Sequence, residues 1–239
     1  MEEIMSAVHS LRVVKESFAA RGWFPATSGN LSVLATCEDG KRAIVITASG
    51  KDKSLQTSED FLLVDRDGVP VFPTRLKPSA ETMIHTAIYD RLPDTGAVFH
   101  VHTVANNLLS ELYGDHGEIL FSGHELIKAF NIWEEDGAIR LPIVENKAHI
   151  PTLAQLVRDA VRPQTPGILI RRHGIYAWGR NPEEAKKHLE AFEFLFDYHV
   201  KLLQMKSLGL LPIHTFADVS LGKGRKLHFH KTKHEREGS

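Results

Sequence analysis

Signals for β-hairpins and signals for strand–helix units follow one another along this chain, and that mixture restricts its fold more than any other feature. Ile4, Val8, Leu11, Val14 and Phe18 recur at three- and four-residue steps, which predicts a helix over residues 3–21 that Gly22 ends. LSVLA and RAIVITA read as strands joined by EDGK, and LLVD and VPVF flank Arg66-Asp67-Gly68 as a second hairpin. A helix is expected from about Ala80, then AVFHVH as a strand and VANNLLSELY as a helix, with EILFSGHELIKAF as a short strand, loop and helix. TLAQLVRDAV reads as helical and GILIRRHGIYAWG as a hairpin around His173-Gly174. A long last helix follows, with Asn181 as its N-cap and Pro182 in its first turn. A doubly wound parallel sheet would alternate strand and helix throughout. This order predicts instead an α/β fold (an α+β sandwich) with a mainly antiparallel central sheet flanked by helices. Residues 1–210 are expected to form one domain. Residues 211–239 are expected to form a loosely ordered tail, basic because residues 222–239 carry six Lys/Arg against two Glu.

Lys+Arg is 29 and Asp+Glu is 30, a formal net charge of −1, so no global field favours nucleic acid or an acidic membrane. No apolar run approaches the ~18 residues of a membrane span. The opening residues carry charges every few positions and lack the apolar region of a signal peptide. Cys37 is the one cysteine, which fits a reducing compartment, and a cytoplasmic protein is expected. Against this ordinary background the chain holds 14 histidines, several of them close together.

His100-Val101-His102 lies in a strand whose preceding residues, Ala97, Val98 and Phe99, are apolar. Residues i and i+2 of a strand face the same way, so the two imidazoles make half a zinc site. Buried imidazoles need partners, which favours ligands over solvated side chains. A second His-x-His, His228 and His230, sits among Lys223, Arg225, Lys226, Lys231 and Lys233, where positive charge opposes a dication. His173, at the tip of an apolar hairpin and followed by a glycine, is the best third ligand; His85, His124, His149 and His188 are weaker. Two carboxylates stand at loop-to-helix starts, Glu81 in KPSAET and Glu125 in GHELIK, where the helix dipole alone would also favour an acid. Three loops of small residues, Thr27-Ser28-Gly29-Asn30, Thr47-Ala48-Ser49-Gly50-Lys51 and Pro78-Ser79-Ala80-Glu81, offer hydroxyls and free backbone N–H groups to one anion. Together with a metal they suggest a phosphorylated small substrate.

SGN, T-x-SG, PSxE, HxH and HG, in that order over about residues 5–208, resemble the class II aldolase family of metal enzymes acting on sugar phosphates. The resemblance implies His100, His102 and His173 as ligands of one Zn2+ per subunit. It implies Gly29, Asn30, Ser49, Gly50 and Ser79 around a phosphate, and active sites between subunits, usually of a homotetramer. HVHTVANN, GHELIKAF and the RRHG hairpin are most similar to a dehydratase branch of the family, which acts on a 1-phosphorylated 2-ketose carrying a methylthio group at C5. That branch implies Glu125 as the acid/base, with Glu81 in support. The aldolase members use the glutamate of PSxE, here Glu81, as metal ligand or acid/base, so a sugar-phosphate aldolase or a 4-epimerase stays open. Ala80 departs from the PSSE form of the aldolases. Non-catalytic cytoskeletal relatives have lost the metal histidines, and a cupin-type dioxygenase would need a glutamate three or four residues after His102.

Overall fold

The structure is a computed structural model and describes residues 1–210. The expected basic tail and the pair His228 and His230 lie outside the described residues. The elements are α1 (Glu2–Ala20), β1 (Asn30–Thr36), β2 (Arg42–Thr47), β3 (Phe61–Val64), α2 (Thr82–Arg91), β4 (Ala97–Val101), α3 (Val104–Tyr113), β5 (Glu118–Ser122), β6 (Ala138–Val144), α4 (Ile150–Ala160), β7 (Gly167–Ile170), β8 (Gly174–Gly179) and α5 (Pro182–Ser207). The strands form one sheet in the order β3-β2-β1-β4-β8-β7-β6-β5. Every neighbouring pair is antiparallel except β6 with β7, which α4 connects. The mainly antiparallel sheet flanked by helices is therefore as expected.

Alternation along each strand sends side chains to two separate cores. Phe99 and Val101 of β4 and Ile175 and Ala177 of β8 face α1, α3 and α5, packing with Leu11, Phe18, Leu109, Phe192 and Phe196. Val98 of β4 and Tyr176 and Trp178 of β8 face α2 and α4, packing with Ile84, Ile88, Leu153 and Val157. Each of these aliphatic and aromatic side chains, wholly or nearly removed from water, contributes roughly 1.5–3 kcal/mol. The same alternation puts His100 on the α2/α4 side, where its ring stacks on Tyr176 at 3.9 Å between centroids.

Three local expectations change. VPVF does not form a strand: it meets β3 in a single bridge, Val64 opposite Pro70, closed by Val71 N donating to Leu63 O at 3.0 Å and Asp65 N donating to Val69 O at 2.8 Å. GHELIK leads into a 3-10 segment, Glu125–Phe130, in place of an α-helix. AIRLPIV forms β6, a strand whose signal Arg140 and Pro142 break up. No helix among the described residues is long and apolar enough to cross a membrane.

Candidate metal and substrate site

His100 is the fourth residue of β4, and His102 follows the strand end by one residue. The chain turns at once into α3. Thr103 caps that helix by accepting from Asn106 N at 3.1 Å, while Asn106 Oδ1 accepts from Thr103 N at 3.3 Å. This capping box fixes where His102 leaves the sheet. Buried Glu193 of α5 accepts from Thr103 Oγ1 and Asn106 Nδ2, both at 2.8 Å, and so holds the cap from behind. His173 sits in the β7–β8 turn, where Asn107 Nδ2 donates to its carbonyl at 2.9 Å. Gly174 must be glycine, because a Cβ would stand 2.4 Å from Val101 O and 2.9 Å from His100 Cε1. The glycine after His173 thus lets β8 start against the ligand strand.

The ligand atoms of Glu81, His100, His102 and His173 lie within 4.8 Å of one another. His100 Nδ1 donates to Ile175 O at 2.8 Å, which leaves Nε2 as a lone pair facing His102 Nε2 at 2.8 Å. Glu81 Oε1 is 2.7 Å from His173 Nε2, and Glu81 Oε2 is 3.4 Å from His100 Nε2. Burial drives His100 well below the ordinary histidine range and His102 down to about 4, so both are neutral at pH 7. Burial alone would raise the Glu81 carboxyl, but His100, His173 and the Asn30 amide hold it well below the carboxylate range. The two neutral imidazoles, the His173 ring and an ionised carboxylate, converging on one point, fit a divalent cation of the zinc type.

The fourth group is held by a relay through the sheet. Tyr89 Oη and Ser32 Oγ are 2.8 Å apart, and Ser32 Oγ donates to His85 Nδ1 at 2.7 Å. His85 Nε2 donates to Asn30 Oδ1, and Asn30 Nδ2 donates to Glu81 Oε2 at 2.6 Å. Burial keeps His85 neutral, down at about 3 against the pull of Glu81, as a ring that donates at one nitrogen and accepts at the other requires. His85 is therefore a buried member of the site, not the polar helix-face residue its position suggests.

The three small-residue loops meet beside Glu81. Asn30 bonds it directly, and Glu81 N donates to Ser79 Oγ at 3.3 Å. Ala48 bridges Pro78, and Ser49 N donates to Lys77 O at 2.8 Å, which lays Ser49 and Gly50 along the Ser79 loop. Gly29 adopts φ 74°, and a Cβ there would lie 2.7 Å from His100 O. His102 and His173 also line a cleft of about 610 Å³ with Pro25, Val104, Leu108 and Arg172. Tyr176, stacked on His100, and Glu193, behind the Thr103 cap, join the site without having been singled out in the sequence.

Glu125 is not among these residues. Its side chain is 83% exposed and pairs with Lys128 at 2.7 Å. β5 is the edge strand beyond β8, β7 and β6 and runs opposite to β4, so Glu125 and His102 leave the sheet from opposite ends. Glu125 lines a separate depression with His124, Lys128, Trp133 and Glu134.

Residues 10–200 match the Class II Aldolase and Adducin N-terminal domain family, and the chain belongs to it. It is 56% identical to methylthioribulose-1-phosphate dehydratase of Geobacillus sp. (strain WCH70), over 85% of this chain and 94% of that protein. It is 53% identical to the protein of that name in Bacillus subtilis (strain 168), over 80% of this chain and 91% of the relative. The sugar-phosphate aldolase structure from Thermotoga maritima matches at TM-score 0.64, covering 87% of this chain and 98% of its own. At 21% identity that likeness speaks for the fold alone.

Proposed function

We propose that this chain is a hydro-lyase of methionine salvage that removes water from 5-methylthioribulose 1-phosphate, giving 2,3-diketo-5-methylthiopentyl 1-phosphate. The observation that carries the reading is the convergence of His100, His102, His173 and Glu81 in a chain 53–56% identical to dehydratases of that name. His100, His102 and His173 would hold one Zn2+ per chain through their Nε2 atoms. A bound ion would supply Lewis-acid polarisation of the ketose carbonyl, which acidifies the neighbouring C3–H. The loops of Gly29, Asn30, Ser49, Gly50 and Ser79 would take the phosphate, beside Glu81.

Glu81, held ionised, takes the proton from C3. The C4–O bond breaks, and the hydroxyl leaves as water with a proton from Glu125. The resulting enol ketonises by gaining a proton at C4 and releasing one from the C3 hydroxyl, which restores both carboxyls. Because Glu125 lies away from the histidines of its own chain, it would act on the site of a neighbouring copy in a homotetramer. The enzyme would work in the cytoplasm. The position of Glu81 among the histidines also suits cleavage of C3–C4, so product analysis is the deciding experiment. Metal-replete protein given methylthioribulose 1-phosphate should form a diketone chromophore and a single carbon skeleton. Two fragments would establish an aldolase in its place.

A further inference from the structure

Among the described residues two lysines are almost wholly buried, and one of the two has a countercharge. Lys15, 1% exposed, pairs with Asp60 at 2.5 Å. Lys53, 5% exposed, has no carboxylate within ion-pair distance among the described residues. Its Nζ donates to Thr27 O at 2.6 Å and stands 5.8 Å from the Phe24 ring. Neighbouring Asp52 is turned to Ser54. A carbonyl and an aromatic face are weak company for a desolvated ammonium, whose burial is costly without an anion.

The carbonyl that Lys53 holds belongs to the Thr27–Asn30 loop. Ala26 and Thr27 there take φ of 51° and 63°, a left-handed conformation that non-glycine residues seldom adopt and that is often found at ligand sites. Ser28 Oγ, on the same loop, is buried with no hydrogen-bond partner. Lys53 also senses Glu81 and His102 electrostatically, so its charge reaches the histidine site. Lys53 stands three residues after Gly50, on the loop that lies along Ser79.

We propose that Lys53 is the countercharge for the substrate's phosphate, with the Ser28 hydroxyl as a further donor to it. This rests on the proposed sugar-phosphate reaction for the identity of the ligand, though not for the presence of an anion site. The backbone N–H groups and hydroxyls of the three loops are neutral; Lys53 adds the charge that selects a phosphorylated ketose over the free sugar. Burial, with Lys15 nearby, brings Lys53 down to about 8, so an empty site tolerates the lysine and a bound dianion draws its proton back.

The test uses the full-length, metal-loaded protein and two variants, Lys53→Met and Lys53→Arg. Binding of inorganic phosphate is measured by calorimetry, and turnover of the phosphorylated ketose by steady-state kinetics. Lys53→Met should keep its metal content and lose phosphate binding. Its KM should rise by roughly 100-fold, with a smaller change in kcat. Lys53→Arg should recover most of the binding and move its alkaline limit from near pH 8 to higher pH. A lysine that merely pins Thr27 would alter the melting temperature and leave that alkaline limit in place. Wild-type phosphate affinity in Lys53→Met, or no phosphate binding by the wild type, would overturn the proposal. If the wild type binds phosphate through Lys53 but does not dehydrate methylthioribulose 1-phosphate, the assigned reaction fails and the anion site stands. Should Lys53→Met not fold, an unshifted alkaline limit in Lys53→Arg would overturn the proposal by itself.

Discussion

Residues 78–85 and 123–130 look alike as sequence: each is a small-residue loop that delivers a glutamate to a helix start. The fold treats them oppositely. Glu81 is 16% exposed and held by Asn30 and His173, whereas Glu125 is 83% exposed with Lys128 as its partner. A carboxylate at a helix start therefore carries little information until the direction of the preceding strand is known. Glu81 lies beside the small-residue loops that pack near β1, whose first residue Asn30 pairs with His100. Glu125 leaves the far edge of the sheet at the opposite end, away from the histidines of its own chain.

The sharpest way to break the contrast is to separate metal from proton transfer. His102→Ala should lose the bound ion and reduce turnover to background, read by metal analysis and diketone formation. Glu81→Gln should lower turnover by roughly 10²–10⁴-fold and also weaken metal retention, since this carboxylate faces the ligands. Glu125→Gln should lower turnover over a similar range with metal content unchanged. Co-expression of His102→Ala with Glu125→Gln then tests the placement directly. If Glu125 serves a neighbour's site, mixed oligomers regain activity that neither variant has alone. A Glu125→Gln enzyme with near-normal turnover would leave Glu81 as the acid/base and Glu125 as an exposed helix-start acid, typically worth ~0.3–1 kcal/mol.

A smaller effect is expected one step behind Glu81. His85→Phe cuts the relay from Tyr89 and Ser32 to Asn30 while keeping a ring in the core. Loss of such an outer partner typically costs 10–100-fold, so kcat should fall by about that amount with metal still bound. An unchanged kcat would mean that Asn30 positions Glu81 without help.

The histidines were legible because their geometry is local. Period-two spacing on an apolar strand is enough to pair His100 with His102, and a glycine that permits close approach marks His173. The hairpins and helices that bracket them were legible for the same reason. What escaped depends on distant parts of the chain. His85 reads as a helix-face histidine until β1 supplies Ser32 and Asn30. Nothing local singles out Lys53, whose burial comes from the Thr27 loop and Phe24. β6 escaped because Arg140 and Pro142 interrupt its apolar run, although its neighbours on the sheet bury Ile139, Leu141 and Ile143. The site of Glu125 follows from strand order, which no short window contains.

Glu193 offers the finest comparison, because it is buried like Glu81 and yet shifted the other way. Burial raises it to about 7, and the bonds from Thr103 and Asn106 only partly oppose this, since no imidazole faces it. An unfolded glutamate titrates near 4.5. Between that value and about 7 the unfolded chain binds fewer protons than the folded one, so stability falls as pH rises across this window. Below about 4.5 the penalty is absent, because both states are protonated; above about 7 it is fully present, on the order of 3 kcal/mol. Glu193→Gln keeps an acceptor and a donor for Asn106 and Thr103 and cannot ionise. Urea unfolding at pH 5, 6, 7 and 8 should show the wild type losing stability relative to this variant up to about pH 7 and levelling off beyond it, the variant being the more stable at pH 8. Parallel pH curves for the two proteins would mean that α5 yields enough to let water reach Glu193, and that the cap behind His102 is looser than its hydrogen bonds suggest.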